Sequence, residues 1–178
     1  MATYFGTETY DSTTSNSGSM RWLDAGFVCP GSGTQNVSSL EVYIGNAGTG
    51  TVRAGIYNSS GNLVAEWATA LDPESTGWLS GTSFINAAGN PLSPVQLTGG
   101  QTYRLAIYPV SSGLEYGYLN CGATDGQYDF ADHSGGLPDT IPGGDDVAFT
   151  PTIRCGVEAA AGGSAVVIMA NISRRRRG

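Results

Sequence analysis

Short runs of alternating apolar and polar residues recur along most of this chain. In the clearest run, Leu40, Val42 and Ile44 fall on one face. Glu41 and Tyr43, which lie between them, fall on the opposite face. A period of two predicts a β-strand with one buried side. Comparable short runs are found at residues 3–5, 20–23, 25–29, 51–57, 63–68, 77–79, 82–85, 94–97, 101–108, 114–119, 147–150 and 151–157.

These runs predict an all-β protein, an antiparallel β-sandwich of eight to ten short strands with a jelly-roll topology. The 27 glycines of the chain support that class, because each costs about 1 kcal/mol inside a helix. Only the stretch from Val64 to Leu71 competes as a helix. It is short, and it ends at Asp72-Pro73, where the proline disfavours helical backbone in the residue before it.

We expect three regions along the chain. Residues 1–19 are polar and repetitive and predict an N-terminal arm, or one short strand followed by a loop. Residues 20–158 form the sandwich domain, and residues 159–178 form a C-terminal assembly strand with a basic tail. Within the domain, residues 120–146 are rich in Gly, Asp and Pro. They predict a long loop, which in a compact domain is usually functional or held by partners.

The C-terminal region has the features of an assembly segment. A free apolar strand is prone to aggregate unless it pairs with another strand, and the arginines that follow it can pair with carboxylates. We therefore expect the strand to add to a sheet edge of a neighbouring subunit and the arginines to dock on its acidic surface. The residues of this assembly tail are Val166, Val167, Ile168, Met169, Ile172, Arg174, Arg175, Arg176 and Arg177.

The charge of the chain excludes several partners. It has no lysine, and its net charge is −7. Outside the C-terminal arginine run, four arginines stand against fifteen acidic residues, a charge of −11, so we expect no nucleic-acid partner. No window reaches the roughly 18 apolar residues of a membrane span. The first eight residues lack the basic start and apolar run of a signal peptide, so we expect export, if any, by lysis or a specialised route.

The three cysteines, Cys29, Cys121 and Cys155, have no C-x-x-C spacing. Each lies beside apolar, glycine or proline residues, which indicates buried free thiols at strand ends. One disulfide with a leftover thiol is the alternative. Because the chain has a single histidine, His133, we expect no Cys/His zinc site.

Part of the chain resembles a known type of module. It has a hairpin, Val52-Arg-Ala-Gly-Ile-Tyr followed by Gly61-Asn-Leu-Val-Ala-Glu, then Gly77-Trp, then Pro94-Val-Gln-Leu-Thr-Gly-Gly-Gln-Thr-Tyr-Arg-Leu-Ala-Ile-Tyr. Over residues 20–157 this order is similar to β-sandwich modules of phage fibre and decoration proteins and of bacterial carbohydrate-binding or adhesive regions. The resemblance implies a non-enzymatic jelly roll that binds glycan or protein surfaces, and it assigns no binding residues.

No catalytic arrangement emerges from the sequence. A Ser-His-Asp site would need His133, and the chain has no G-x-S-x-G elbow. Glu41, Glu66, Glu74 and Glu115 offer carboxylates, but no spacing places two of them across a cleft. We therefore predict a protein that is not an enzyme and has no cofactor.

Acidic residues in the long loop offer one candidate metal site. Asp125, Asp129 and Asp132 supply oxygen ligands of the kind that calcium prefers, with Asp145 and Asp146 further along. The spacing matches no EF-hand, and an acidic solubilising loop is the simpler interpretation.

A repeated Arg-x-x-x-Tyr pattern gives the sharpest candidate for a binding surface. Arg53 and Tyr57 point the same way, as do Arg104 and Tyr108, because residues four apart in a strand share a face. Aromatic rings stack on sugars and arginine binds hydroxyls or carboxylates, while the same residue types favour protein interfaces. A solvated face whose arginines pair with nearby glutamates is the third interpretation. The whole candidate face comprises Tyr43, Arg53, Tyr57, Arg104, Tyr108, Tyr116 and Tyr118.

These features predict a structural or decorating protein of a virion or fibre-like assembly, located in the virion or an extracellular assembly. Its subunits would be joined through the terminal arms, with copies of itself or other coat or fibre proteins as partners. The alternative is a carbohydrate-binding or adhesion module that recognises surface glycans. The two can coexist, since the outer proteins of a particle often contact its host.

Overall fold

The computed structural model describes residues 2–14, 19–46, 50–110, 115–120 and 126–160. Over these ranges the chain forms strands and no helix, so no helix there has the length and apolar character that a membrane span requires. Two antiparallel sheets pack face to face around a shared core. This confirms the predicted all-β antiparallel sandwich, while the jelly-roll topology stays a prediction.

The first sheet, sheet A, has the strand order β1-β17-β5-β13-β16, with β8 and β11 also paired to β5 and β2 paired to β13. Its strands are β1 (Thr3–Gly6), β2 (Ser12–Thr14), β5 (Thr34–Asn46), β8 (Gly77–Gly81), β11 (Gln96–Thr98), β13 (Glu115–Asn120), β16 (Phe149–Pro151) and β17 (Ile153–Ala159).

The second sheet, sheet B, has the order β10-β9-β7-β6-β12-β3-β14-β15, with β4 paired to β12. Its strands are β3 (Met20–Leu23), β4 (Phe27–Val28), β6 (Val52–Asn58), β7 (Leu63–Trp67), β9 (Phe84–Ile85), β10 (Pro91–Leu92), β12 (Thr102–Pro109), β14 (Gly126–Asp129) and β15 (Asp145–Val147).

The core lies between the two sheets, where the alternation predicted it. In β6, Val52, Ala54 and Ile56 are fully buried, as are Leu105 and Ile107 in the neighbouring strand β12. Burying each large apolar side chain contributes about 1.5–3 kcal/mol relative to exposure, so this face holds the sheets together. The same cluster includes the inward side chains of β5, which are Leu40, Val42 and Ile44.

The predicted N-terminal arm is, over its described residues, part of sheet A. Strand β1 pairs with β17, and β2 pairs with β13. Between them, the Thr7 hydroxyl donates to the carbonyl of Pro151 at 2.9 Å and accepts the Ile153 N–H at 2.7 Å. The described residues 2–14 therefore belong to the sandwich, with β1 as an edge strand of sheet A.

The expectation of one continuous loop over residues 120–146 is wrong. The segment contains two strands, β14 and β15, and the residues between them lie across the outer face of sheet B. We call residues 130–144 the cover segment. Its backbone is held there by hydrogen bonds: the Ile141 N–H donates to the Gly61 carbonyl at 2.7 Å, and the Leu63 N–H donates to the Asp139 carbonyl at 2.8 Å.

Two of the three cysteines confirm the free-thiol interpretation. Cys29 and Cys155 are both buried in the core and unbonded. Burial raises the pKa of both thiols, so both stay protonated near neutral pH. Cys121 lies outside the described residues, as do residues 161–178, which include the whole predicted assembly tail.

Candidate functional site

The four residues of the Arg-x-x-x-Tyr repeat do share one face of one sheet. In the β6–β12 pair, Tyr57 lies opposite Arg104 and Arg53 lies opposite Tyr108. However, this outer face of sheet B is not open to solvent. Tyr57 is 0% exposed and Tyr108 is 3% exposed, because the cover segment packs on them with Leu137 in a second hydrophobic cluster.

The polar ends of these side chains bind the cover segment. The Tyr57 hydroxyl donates to the Pro138 carbonyl at 2.8 Å. The Tyr108 hydroxyl donates to Asp132 Oδ1 at 3.3 Å. Burial raises the pKa of both tyrosines, so both remain hydrogen-bond donors at neutral pH. The expectation that they form an accessible binding face is therefore wrong: their stacking and hydrogen-bonding capacity is used within the chain.

The arginines of the repeat are engaged in the same way. Arg53 Nε donates to the Ser134 carbonyl at 2.9 Å, and its NH1 lies 3.8 Å from the buried carboxylate of Glu66. That carboxylate also accepts the Leu137 N–H at 2.9 Å. Burial raises the pKa of Glu66, against the lowering effects of the Leu137 N–H and Arg53. Arg104 Nε donates to the Asp24 carbonyl at 2.8 Å.

The other three tyrosines of the predicted face lie in sheet A. Tyr116 points into the core and is fully buried, and burial raises the pKa of its hydroxyl. Tyr118 lies two residues further along the same strand, β13. Only Tyr43 lies on an outer face, that of sheet A. The sequence could not place them, because β13 pairs with β5 and not with a strand of sheet B.

The outer face of sheet A carries a different row of side chains. At its centre, the Arg154 guanidinium carbon lies 4.3 Å from the ring centroid of Tyr4 and 4.0 Å from that of Trp78. The Trp78 ring meets the Tyr43 ring edge-on at 5.6 Å, and the Tyr43 ring stacks on Tyr10 at 4.2 Å. We call these five residues the aromatic ladder. Four of them lie on the adjacent strands β1, β17, β5 and β8, and Tyr10 lies between β1 and β2.

The carboxylate of Glu41 fixes the central arginine. Arg154 Nε donates to Glu41 Oε2 at 2.7 Å. The other oxygen, Oε1, accepts the hydroxyls of Ser39 at 3.0 Å and Tyr4 at 3.3 Å. Glu41 is only 7% exposed, so this pair is partly shielded from water and holds the guanidinium in one orientation. Hydrogen bonds of this charge-assisted kind are stronger than neutral ones.

The end of the ladder at Tyr10 reaches furthest into solvent. Tyr10 is 44% exposed, and its hydroxyl accepts a hydrogen bond from Tyr43 at 3.1 Å, an interaction that raises the pKa of Tyr43. Two glycines make room for the rings. A Cβ at Gly117 would lie 3.0 Å from Tyr43 Cδ1, and one at Gly156 would lie 3.1 Å from Tyr4 Cε1.

This arrangement can bind a ring-shaped ligand. Aromatic rings offer apolar faces and edges, and the guanidinium has N–H groups beyond the one used by Glu41. Sequence reasoning did not name Tyr4, Tyr10, Trp78 or Arg154 as site residues. One local signal was present, since Arg154 takes the outward position between the inward Ile153 and Cys155. Nothing local indicated which rings would meet it.

The calcium hypothesis gains no support from the described acidic residues. Asp129 Oδ2 lies 2.8 Å from His133 Nε2. Asp132 accepts the Ser134 N–H as well as the Tyr108 hydroxyl, and the Ser134 N–H lowers the pKa of Asp132. Asp125 lies outside the described residues. Over the ranges that are described, no group of three or more His, Cys, Asp or Glu side chains could hold a metal ion.

Comparison with known proteins does not add a family. No protein-family model, no curated protein and no solved structure matches the chain. The resemblance to phage and carbohydrate-binding modules therefore stays a prediction from the residues that carry it. The candidate site is therefore described by its geometry alone, the aromatic ladder on the outer face of sheet A.

Proposed function

We propose that this protein is a non-enzymatic adhesion module that recognises surface glycans through the aromatic ladder. The observation that supports this function is the row of aromatic rings around one guanidinium on an outer sheet face. Sugar rings present apolar C–H faces that stack on aromatic side chains, and their hydroxyls accept hydrogen bonds from arginine. A sheet face also keeps these groups on a rigid support, which reduces the entropy lost on binding.

The pairing of the central charges favours a glycan over a protein partner. Glu41 already holds Arg154, so a neutral ligand meets no unpaired charge at the centre of the ladder. The rings come from three strands, β1, β5 and β8, and from Tyr10 between β1 and β2. The aromatic surface is therefore spread over the face of the sheet and does not belong to a single strand.

A glycan array with the purified protein, followed by calorimetry on the bound glycans, tests the proposal. We expect Tyr10→Ala and Trp78→Ala each to weaken binding at least tenfold, which corresponds to about 1.4 kcal/mol. Phe130→Ala is the matched control, since Phe130 is a 69% exposed aromatic residue on the opposite side of the molecule, in the cover segment. Circular dichroism of each variant checks that the fold is retained.

Two outcomes would contradict the proposal. One is a wild-type protein that binds no glycan on the array. The other is a bound glycan whose affinity is the same for the Tyr10→Ala and Trp78→Ala variants as for the wild type.

A second function, the structural or decorating protein of a virion or fibre-like assembly, is supported by the separation of charge along the chain. A body of charge −11 precedes a run of four arginines, and such segments pair well with an acidic surface of another copy. In this second function both terminal arms join the subunits, with β1 offering an edge of sheet A to which a strand of another copy could add.

Light scattering on the full chain and on a chain ending at Ala160 tests this second function. Ala160 is the right end point, because β17 extends to Ala159 and the Ala160 N–H donates to the Thr34 carbonyl at 3.0 Å. We expect a defined oligomer for the full chain and a monomer for the shortened one. The same oligomeric state for both would contradict an assembly role of the tail.

A further inference from the structure

A cavity of about 180 Å³ opens beside β8, the strand that carries Trp78 of the ladder. It lies where the end of β7 and the turn between β8 and β9 come together. Ser80, which lines the cavity, lies two residues beyond Trp78, and alternate residues of a strand share a face at a spacing of about 6.6 Å. One lining residue of the cavity therefore lies about 6.6 Å along β8 from Trp78 of the ladder.

The lining of the cavity has no charged side chain, and it combines hydroxyl groups with the apolar side chains of Trp67 and Leu71. Its hydroxyl groups come from Thr69, Ser80, Thr82 and Ser83, all of them exposed residues at the mouth. The indole of Trp67 forms part of the wall and is 1% exposed. A hydroxyl both donates and accepts hydrogen bonds, so a ligand with many hydroxyl groups matches this lining.

The wall also contains a buried donor that lacks an acceptor. Within the described residues, Trp67 Nε1 has no hydrogen-bond partner, and buried polar groups are nearly always paired. The indole lies directly against Gly81, where a Cβ would overlap it, and Gly81 also lines the cavity. Gly81 closes off this N–H, so a ligand in the cavity meets the glycine backbone and the hydroxyl groups around it and not the indole donor.

Size and charge narrow the ligand class. A volume of 180 Å³ holds about six waters at about 30 Å³ each, which is comparable to one six-membered sugar ring. A negatively charged sugar is disfavoured, because the cavity lining has no cationic side chain and the chain carries a net charge of −7. These features select a neutral pyranose.

We propose that this cavity binds the terminal neutral hexose of a glycan whose preceding residues lie on the aromatic ladder. The inference rests on the proposed glycan-binding function and adds the chemical class of the terminal sugar and its site. The cavity supplies hydroxyl contacts that distinguish one sugar from another, while the ladder supplies stacking that tolerates many sugars.

Saturation-transfer NMR with single sugars tests the cavity by itself. The probes are the methyl glycosides of glucose, galactose, mannose and N-acetylglucosamine, with N-acetylneuraminic acid as the charged comparison. We expect at least one neutral glycoside to bind and the acid not to bind. Ser83→Phe, which fills the mouth from an exposed position, should abolish the signal, and Thr82→Val, which removes one hydroxyl, should weaken binding several-fold. Ser60→Phe, at an exposed turn elsewhere, is the control.

The ladder variant Tyr10→Ala separates this inference from the proposed function. If Tyr10→Ala weakens oligosaccharide binding while Ser83→Phe changes neither probe, the cavity inference is overturned and the ladder function stands. If Ser83→Phe and Thr82→Val abolish single-sugar binding while Tyr10→Ala has no effect on longer glycans, the cavity is supported and the ladder function fails. Equal binding of all glycosides by wild type and Ser83→Phe, or tighter binding of the acidic sugar, overturns the cavity inference.

Discussion

Replacing Arg154 by methionine tests the energetic role of the aromatic ladder. Methionine keeps an unbranched apolar stem but removes the guanidinium that contacts Tyr4 and Trp78 and binds Glu41. The substitution therefore removes three interactions at once. It also leaves the Glu41 carboxylate, which is 7% exposed, with hydroxyl partners only.

The expected cost follows from the contacts that are lost. Each cation–π contact contributes about 0.5–1 kcal/mol near a surface, and the hydrogen bond to the carboxylate contributes about 1.5–3 kcal/mol. The Arg154 side chain is 22% exposed, so solvent screens part of this, and methionine recovers some packing. We expect the free energy of unfolding to fall by about 2–4 kcal/mol, a decrease in Tm of roughly 6–12 °C for a chain of this length.

Urea denaturation followed by tryptophan fluorescence, together with thermal melts, measures the effect. The double variant Glu41→Gln/Arg154→Met isolates the pair: we expect a coupling free energy of about 1–2 kcal/mol, within the range for residues in contact. Arg104→Met is the matched control. Its ion pair with Asp24, at 3.2 Å, involves a carboxylate that is 58% exposed, and such surface pairs contribute about 0–1 kcal/mol. Its hydrogen bonds to the carbonyls of Asp24 and Ser59 also lie at exposed positions, so we expect Arg104→Met to cost less stability than Arg154→Met.

The reasoning is refuted if Arg154→Met destabilises the protein no more than Arg104→Met does. A coupling free energy near zero would show that Glu41 and Arg154 contribute independently, in spite of the 2.7 Å between them.

Three further predictions concern other parts of the molecule. Burial makes the pKa of Glu66 higher in the folded state than in the unfolded state. Protonated Glu66 therefore adds to the free energy of unfolding at pH values below the unfolded pKa of about 4.3. This added stability is lost as the pH rises through the folded pKa. Glu66→Gln should flatten that part of the stability–pH curve, and parallel curves would count against it. Gly81→Ala should lower the free energy of unfolding, measured by urea denaturation, by about 1–3 kcal/mol, because a Cβ would overlap the neighbouring indole. Gly143→Ala is the control: the space around it is open, so the free energy of unfolding should change by less than about 0.5 kcal/mol. Maleimide labelling with peptide mapping should leave Cys29 and Cys155 unmodified in the native protein and should modify both in urea. The reason is that both thiols are buried and have a raised pKa in the folded state. Labelling of either thiol in the native protein would contradict its burial.

The local sequence determined the central strands, such as β5, β6 and β12, and the side of each that faces the core. Successive side chains of a strand point to opposite faces whatever the strand pairs with. Val52, Ala54 and Ile56 therefore had to share a face, and Arg53 and Tyr57 had to share the other. For the same reason, the structure confirms the prediction of an antiparallel β-sandwich without changing it.

Local sequence could not determine which outer faces would stay open. The Arg53–Tyr57 face is correct in direction, yet the cover segment closes it through contacts such as the one from Tyr57 to the Pro138 carbonyl. A loop rich in glycine and aspartate gives no local sign of the surface on which it will pack. The surface on which the loop packs depends on the complementary shapes and hydrogen-bonding groups of the loop and the sheet. These come together only when both are folded.

The aromatic ladder depends on the tertiary structure in the same way. Tyr4, Trp78 and Arg154 come from three strands far apart in the chain, and each occupies an ordinary outward position in its own strand. Strand order and register place the Arg154 guanidinium carbon within 4.3 Å of the ring centroids of both Tyr4 and Trp78. The sequence by itself therefore determined the directions of these side chains, and only long-range strand pairing decided their neighbours, because backbone hydrogen bonds between distant segments set the register.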